Sequence, residues 1–401
     1  MTELSEKECT KRCRYDAWII PIILPLAILF SSCEPSFLSW SASSDNVALV
    51  WRQKVNAKQI FMLGVMSVNE QDIIHFEPPV VLDIADVGTF LSAPAWSPNG
   101  KYIAYYRVSP LDSTQLAASK SMSEEDNVQD ACVSYDAQLT IITPDTKHTK
   151  VLKKIRWRKR AEFDAEGLYT HLRPAWSTDS NRVFYARMLS KDKYRIESIN
   201  INGEGQKKHM RASIGTVYTS IKGEQIGSVW KNTLKISQID NEVQKCFELK
   251  PGVDPARIRW TEDLSKVAFA KDDRIVTVNV NSGRTECVED QDVYSVEHVV
   301  LSSEGEQIYY IARSKVNGVE AELGEFSVRS VTFEGKDKKV LFSFSQNSIP
   351  RQFSISPDEN YIVVGGTETS SDGQEQVFLL LWKKKTGETL KINIGGAFNK
   401  M

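Results

Sequence analysis

Ala95-Trp96-Ser97-Pro98-Asn99-Gly100-Lys101-Tyr102-Ile103-Ala104-Tyr105 is the stretch that decides the fold. Physically it is a hairpin. A short apolar strand ends at Ser97, Pro98 presets φ for the first corner, and Asn99-Gly100 tolerates the positive φ that bends the chain back. A second apolar strand starts at Ile103. The same spacing recurs along the chain: Trp40-Ser41 leads to Val47, Trp176-Ser177 to Val183, and Trp260-Thr261 to Val267. Weaker copies run from Thr219-Ser220 to Ile226, Leu301-Ser302 to Ile308, and Ile355-Ser356 to Ile362, which makes seven.

Two further apolar runs follow each hairpin, for example 60–65 then 80–84, 139–142 then 151–152, and 377–382 then 390–394. Turn dipeptides such as Asn202-Gly203, Ser282-Gly283 and Thr386-Gly387 separate the third run from the fourth. Four strands per unit, and steps of about forty residues between Thr219, Trp260 and Leu301, define the blade of a β-propeller. The fold class is therefore all-β: a seven-bladed propeller of four-stranded antiparallel blades. The long step from Trp96 to Trp176 holds a polar stretch at 109–130, rich in Ser, Asp and Glu. It reads as an insertion within one blade, with a hidden eighth blade as the alternative.

The chain has 401 residues, 41% of them apolar and 25% charged, which is enough to bury a large core and gives no sign of wholesale disorder. A formal net charge of −2 gives no reason to expect a polyanion as the main partner.

The N-terminus departs from this pattern. Lys11, Arg12 and Arg14 precede an apolar run at 17–30 that stops at Ser31-Ser32-Cys33. This order is that of an export signal. The run is short and contains Pro21 and Pro25, whereas a spanning helix needs about twenty apolar residues. The expected division is a signal over 1–32 and a propeller over 33–401.

Two resemblances follow from these residues. Phe30-Ser31-Ser32-Cys33 resembles the lipobox of bacterial lipoproteins, which implies lipidation at Cys33, a membrane anchor and a place in the cell envelope. The copies Ser97-Pro98-Asn99-Gly100 and Ser356-Pro357-Asp358-Glu359 resemble the TolB-like, WD-type propeller repeat over nearly all of the chain after Cys33. That resemblance implies a non-enzymatic scaffold binding another envelope protein. A carbohydrate- or peptide-processing enzyme with its site in the channel is the rival. Trp157, Arg158 and the segment 163–169 also resemble the connection before a blade in prolyl oligopeptidase propellers. No G-x-S-x-G nucleophile elbow accompanies it, and the chain after Ile355 has room for one blade, so no hydrolase domain is expected.

Other candidates are few. His75, His148, His171, His209 and His298 show no short metal-ligand spacing, so neither a metal nor another cofactor is expected, with ligands gathered from distant blades at a central channel as the alternative. The tryptophans share one register and are expected to pack between blades. The cluster Lys153, Lys154, Arg156, Trp157, Arg158, Lys159 and Arg160 is either a patch for anionic headgroups or an acidic partner, or a solvated connecting loop. An exported protein meets no nucleic acid, so that partner is not expected. Cys246 and Cys287 occupy equivalent places in neighbouring repeats and are expected to stay unbridged, because outer strands of a ring splay apart.

Overall fold

Each copy of the repeat forms one sheet from consecutive antiparallel strands, and seven such sheets make the ring. The computed structural model describes residues 35–393 apart from 56–57, 69–78, 112–131, 161–171, 191–192, 213–215, 221–224, 231–232, 240–242, 250–257, 272, 289–292, 315–324, 372 and 374. Blades 1 to 7 begin with the strands Pro35–Trp40, Phe90–Leu91, Ala175–Trp176, Tyr218–Thr219, Arg259–Trp260, Val293–Leu301 and Ser348–Ile355. No helix among the described residues is long and apolar enough to cross a membrane.

The repeated hydroxyl explains why each inner turn forms. Ser97 Oγ donates to Asn99 Oδ1 at 2.8 Å and accepts from the Tyr102 N–H at 2.9 Å. Ser177 binds Asp179 (2.5 Å) and the Arg182 N–H (3.0 Å), and Ser356 binds Asp358 (2.5 Å) and the Tyr361 N–H (2.9 Å). The hydroxyl thus caps a turn that would otherwise bury unpaired backbone groups. Four residues after the head, φ is positive in six turns: Ser44 (61°), Gly100 (69°), Ser180 (60°), Leu264 (58°), Gly305 (68°) and Glu359 (59°). Only two of these are glycine, so the turn's hydrogen bonds, not glycine alone, hold the left-handed residue in place.

The core sits between blades. Phe37, Val50, Leu63 and Leu82 of blade 1 pack with Ile103, Tyr105 and Ile142 of blade 2, and Val229, Leu234 and Ile236 pack with Val267, Phe269 and Val278 of the next blade pair. Middle strands have neighbours on both faces, so Val183, Phe184, Tyr185 and Ala186 are all fully buried in spite of their alternating directions. Among the described residues no strand is exchanged at the closure. Blade 1 meets blade 7 side by side through Trp40, Leu49 and Trp51 against Tyr361, Val363 and Leu379.

The long step from Trp96 to Trp176 holds no eighth blade. It lies within blade 2, where Ile103–Pro110 pairs with Cys132–Thr143, and the intervening residues 112–131 fall outside the described ones. The inner strand of blade 2 is itself split into Phe90–Leu91 and Ala95–Trp96. Ser92 bridges the gap, its N–H donating to the Tyr106 carbonyl (3.0 Å) and its Oγ accepting from the Tyr106 N–H (2.9 Å).

The basic cluster is not a connecting loop. It forms part of His148–Arg160, the outer strand of blade 2, with Arg156 opposite Asp136 and Arg160 opposite Cys132. Leu152 and Ile155 are both buried in the blade 2 to blade 3 core, their three-residue spacing reconciled by a bulge at Leu152, and this burial keeps the sequence in a strand despite its charge. Trp157 and Arg158 lie on the same strand, so they do not belong to a connection before a blade.

Strand direction assigns two faces. Turns between strands one and two, and between three and four, share one face, here the turn face. Inner strands begin and outer strands end on the opposite face. Pro35, paired with Trp51 and remote from the 41–45 turn, lies toward that opposite face, as does Arg160.

Candidate functional site: the axial channel

The seven motif heads point their turns at one axial cavity of about 490 Å³. Trp40, Trp96, Trp176, Trp260, Leu301 and Ile355 line it from the blades, and Ala42, Pro98, Thr178, Ser220, Ser303 and Pro357 line it from the turns. The cavity therefore belongs to the turn face.

The tryptophans are structural before they are anything else. Trp96 Nε1 donates to the Ser39 carbonyl at 3.1 Å and Trp176 Nε1 to the Ala95 carbonyl at 2.9 Å, each reaching the inner strand of the preceding blade. Trp176 also stacks on Tyr102 with centroids 6.0 Å apart. Packing between blades, as expected, fixes their register and leaves ring edges along the channel wall.

Two cations stand among them, Arg173 before the inner strand of blade 3 and Arg259 at the head of blade 5. Arg173 is held by its backbone. It forms a parallel bridge with Thr216, and its carbonyl accepts from the Val217 N–H at 3.2 Å. Its side chain is exposed and lines the channel cavity. The Ile258 carbonyl accepts from Tyr218 Oη (2.8 Å) and from Arg259 (3.1 Å). Glu262 is the one carboxylate among the described lining residues, which include no His and no Cys.

Charged groups elsewhere join strands and blades. Asp83 of blade 1 accepts from Tyr105 Oη (2.7 Å) and Arg107 (2.6 Å) of blade 2. Glu197, fully buried in blade 3, accepts from Tyr185 Oη (2.9 Å), Arg195 Nε (2.8 Å) and Gln206 Nε2 (2.5 Å). Burial alone would push its carboxyl up, but these donors outweigh it and hold the group below the usual carboxylate range. His209 hydrogen-bonds Ser198 Oγ (2.9 Å) and the Ile239 carbonyl (3.0 Å), a structural role between blades 3 and 4.

The residues singled out from the sequence do not meet at the channel. In the basic strand, Lys153 donates to Gln206 of blade 3 at 2.8 Å, Lys154 is exposed, and Arg156 lies 3.5 Å from Asp136. Only the backbone is described at Trp157, Arg158, Lys159 and Arg160. Cys33, His75, His171 and the segment 163–169 fall outside the described residues. Cys246 and Cys287 are exposed and unbridged, as expected. Sequence reasoning missed Arg173 and Arg259. Their signal was position, since residues just before a motif head start the innermost strand and so face the axis.

The class is set by the sheets themselves: a seven-bladed β-propeller in which each copy of the repeat forms one blade. No family model matches the chain, and no curated protein does either. Among solved structures, a chain of the Mitotic Checkpoint Complex is similar at 12% identity and a TM-score of 0.52, over 88% of this chain and 92% of that one. TolB from Acinetobacter baumannii is similar at 14% identity and a TM-score of 0.44, over 88% of this chain. Hydrazine synthase from Kuenenia stuttgartiensis is similar at 13% identity and a TM-score of 0.41, over 55% of this chain. The alignments span 64% of the TolB chain and 65% of the hydrazine synthase chain. At such identities the likeness is one of fold.

Proposed function

We propose that this chain is an exported envelope lipoprotein, lipidated at Cys33, whose propeller binds a protein partner across the turn face. The observation that carries the reading is the convergence of turns from all seven blades around one channel mouth that holds two arginines. A rigid ring of turns is a binding platform. The rival reading, a carbohydrate- or peptide-processing site in the channel, has a single carboxylate, Glu262, among the described lining residues.

Chain length supports a definite orientation. Only Glu34 separates Cys33 from Pro35, so the two lie within a reach of about 7 Å. Pro35 begins the innermost strand of blade 1 on the face opposite the turns. A lipid at Cys33 would draw that face to the bilayer and leave the channel mouth facing away from it. The basic strand of blade 2 ends on the same membrane-side face. Basic residues near an anionic membrane surface add attraction of about 1 kcal/mol each, so the strand would reinforce the lipid anchor.

Metabolic labelling with a palmitate analogue should tag the wild type and not Cys33→Ala; equal labelling of both removes the lipoprotein. Replacing Arg156, Arg158 and Arg160 with Ser should weaken salt-sensitive binding to anionic vesicles and leave melting nearly unchanged. Unchanged vesicle binding reduces the strand to a charged edge that resists aggregation. For the scaffold itself, photo-crosslinkers at Thr178 and Ser303 should capture a partner in cells, while one at Thr369, toward the opposite face, should not. The reverse pattern overturns the turn-face assignment.

A further inference from the structure

Among the described residues, four large apolar side chains stand exposed toward the face opposite the turns: Ile84 (55%), Val87 (57%), Leu189 (45%) and Ile349 (37%). Ile84 ends the outer strand of blade 1, and Val87 follows it in the turn to blade 2. Leu189 lies near the end of the second strand of blade 3, Arg182–Ser190, and Ile349 near the start of blade 7. The other exposed ones, Val80, Val151 and Val340, stand one to a blade on outer strands.

The four form an arc. In blade 1, Pro35 pairs with Trp51, Trp51 with Met62 and Met62 with Ile84, so Ile84 is level with Pro35. Thr89 Oγ1 hydrogen-bonds Ser109 Oγ at 2.8 Å, so the Val87 turn abuts the end of the second strand of blade 2, where Pro110 is exposed. Tyr106 Oη accepts from the Ala186 N–H at 2.9 Å, which sets the second strands of blades 2 and 3 level and brings Leu189 near Pro110. Ile349 stands six residues before its motif head and Pro35 five before its own, on neighbouring inner strands. Blades 7, 1, 2 and 3 are consecutive in the closed ring, and blade 1 carries the chain end that leads to Cys33.

A contiguous apolar surface marks a contact site. What covers it is indicated by the chain itself, because a lipid at Cys33 lies within about 7 Å of Pro35. Arg187 and Arg351 are exposed two residues from Leu189 and Ile349, and Arg187 is 3.8 Å from the buried Glu197. Long cationic stems at such places lie along apolar surface while their heads reach headgroup phosphates.

We propose that blades 7 to 3 rest on the bilayer through this arc, with Ile84, Val87, Leu189 and Ile349 entering the boundary between headgroups and acyl chains. This rests on the orientation drawn from Cys33 above and adds that the propeller itself, not only its lipid, touches the membrane.

Depth-dependent quenching on the full chain, purified from membranes and reconstituted in phosphatidylcholine and phosphatidylglycerol vesicles, tests it. A naphthyl fluorescent amino acid is genetically encoded at Val87, Leu189 or Ile349 or, as turn-face controls, at Asn202 or Lys385. Nitroxide on the lipid acyl chains should quench the first three at least about twofold more than the controls. Val87→Asp/Leu189→Asp should return the Ile349 reporter to the control level, with circular dichroism melts confirming the fold. Equal quenching at all five sites, quenching at the controls alone, or an unchanged Ile349 reporter in the folded double variant overturns the proposal. Absence of quenching, with photo-crosslinks from Val87 to a protein in cells, assigns the arc to a protein partner and also overturns it. The two readings fail separately. A chain without palmitate label whose arc is still quenched loses the lipid and keeps the arc, whereas a labelled chain with no quenching keeps the lipid and loses the arc.

Discussion

The hydroxyl of Ser44 accepts a hydrogen bond from the Asp358 N–H at 3.2 Å, joining the inner turn of blade 1 to that of blade 7. The same contact joins blades 2 and 3, where the Asn99 N–H donates to Ser180 Oγ at 3.0 Å. Both serines have positive φ, 61° and 60°, which places the hydroxyl against the preceding blade's turn. Blade 1 thus follows blade 7 as blade 3 follows blade 2. The ring closes in the register of its internal joints, with no strand shared among the described residues.

Because the described strands of blades 1 and 7 meet side by side, aromatic contacts carry much of that joint. Trp40, which stacks on Tyr361 with centroids 6.1 Å apart, is 7% exposed. Trp40→Ala should cost about 3–5 kcal/mol. Ser44→Ala should cost about 1 kcal/mol. Urea unfolding followed by tryptophan-independent circular dichroism measures both, and a Trp40→Ala loss below 1 kcal/mol would mean that closure rests on something else.

Lys147 has φ 53° in the outer turn of blade 2, where the corresponding turn of blade 7 has Gly387 at φ 70°. In both, the N–H of the next residue approaches the preceding threonine hydroxyl at 3.4 Å. A left-handed non-glycine residue costs about 1–2 kcal/mol, and glycine returns about half of that through unfolded-state entropy. Lys147→Gly should therefore raise the urea midpoint and Gly387→Lys should lower it. Shifts in the opposite directions would contradict the assignment of strain.

The turn carboxylates make stability pH-dependent. The Ser177 hydroxyl and the Asn181 N–H hold Asp179 below the ordinary carboxylate range. At Asp263 and Asp358 burial pushes upward, but hydroxyl and N–H donors outweigh it, so both are also depressed. A depressed folded value stabilises above the unfolded value, near pH 4, and the benefit disappears as pH falls through the folded value. Melting temperature should hold near neutrality and drop below about pH 4. Asn99 already performs the same role uncharged, so the triple variant Asp179→Asn, Asp263→Asn, Asp358→Asn should keep neutral-pH stability and flatten the acid slope. An unchanged slope would assign acid sensitivity to other groups, with Glu197 first among them.

Cys246 pairs across from Lys235 and Cys287 from Val276, equivalent registers on neighbouring blades. Both thiols are exposed. Alkylation of the native, non-reduced protein should label each, and mass spectrometry should detect no peptide linking them. A Cys246 to Cys287 crosslink would require a different cut of the repeat.

The sequence by itself determined the blade. A hydroxyl, a turn and an apolar strand at fixed spacing are local instructions, satisfied by hydrogen bonds within a few residues, as at Ser97 and Ser356. Counting those instructions gave seven blades, and the common register of the tryptophans gave their packing role. Tertiary structure alone decided the rest. The charge of 153–160 suggested a loop, but Leu152 and Ile155 are held in a strand by a core shared with blade 3, which no local pattern displays. Arg173 and Arg259 lie in different blades and carry no motif of their own. They come to line one cavity only because closing the ring turns the starts of the inner strands toward one axis, and that closure depends on packing between residues at opposite ends of the chain.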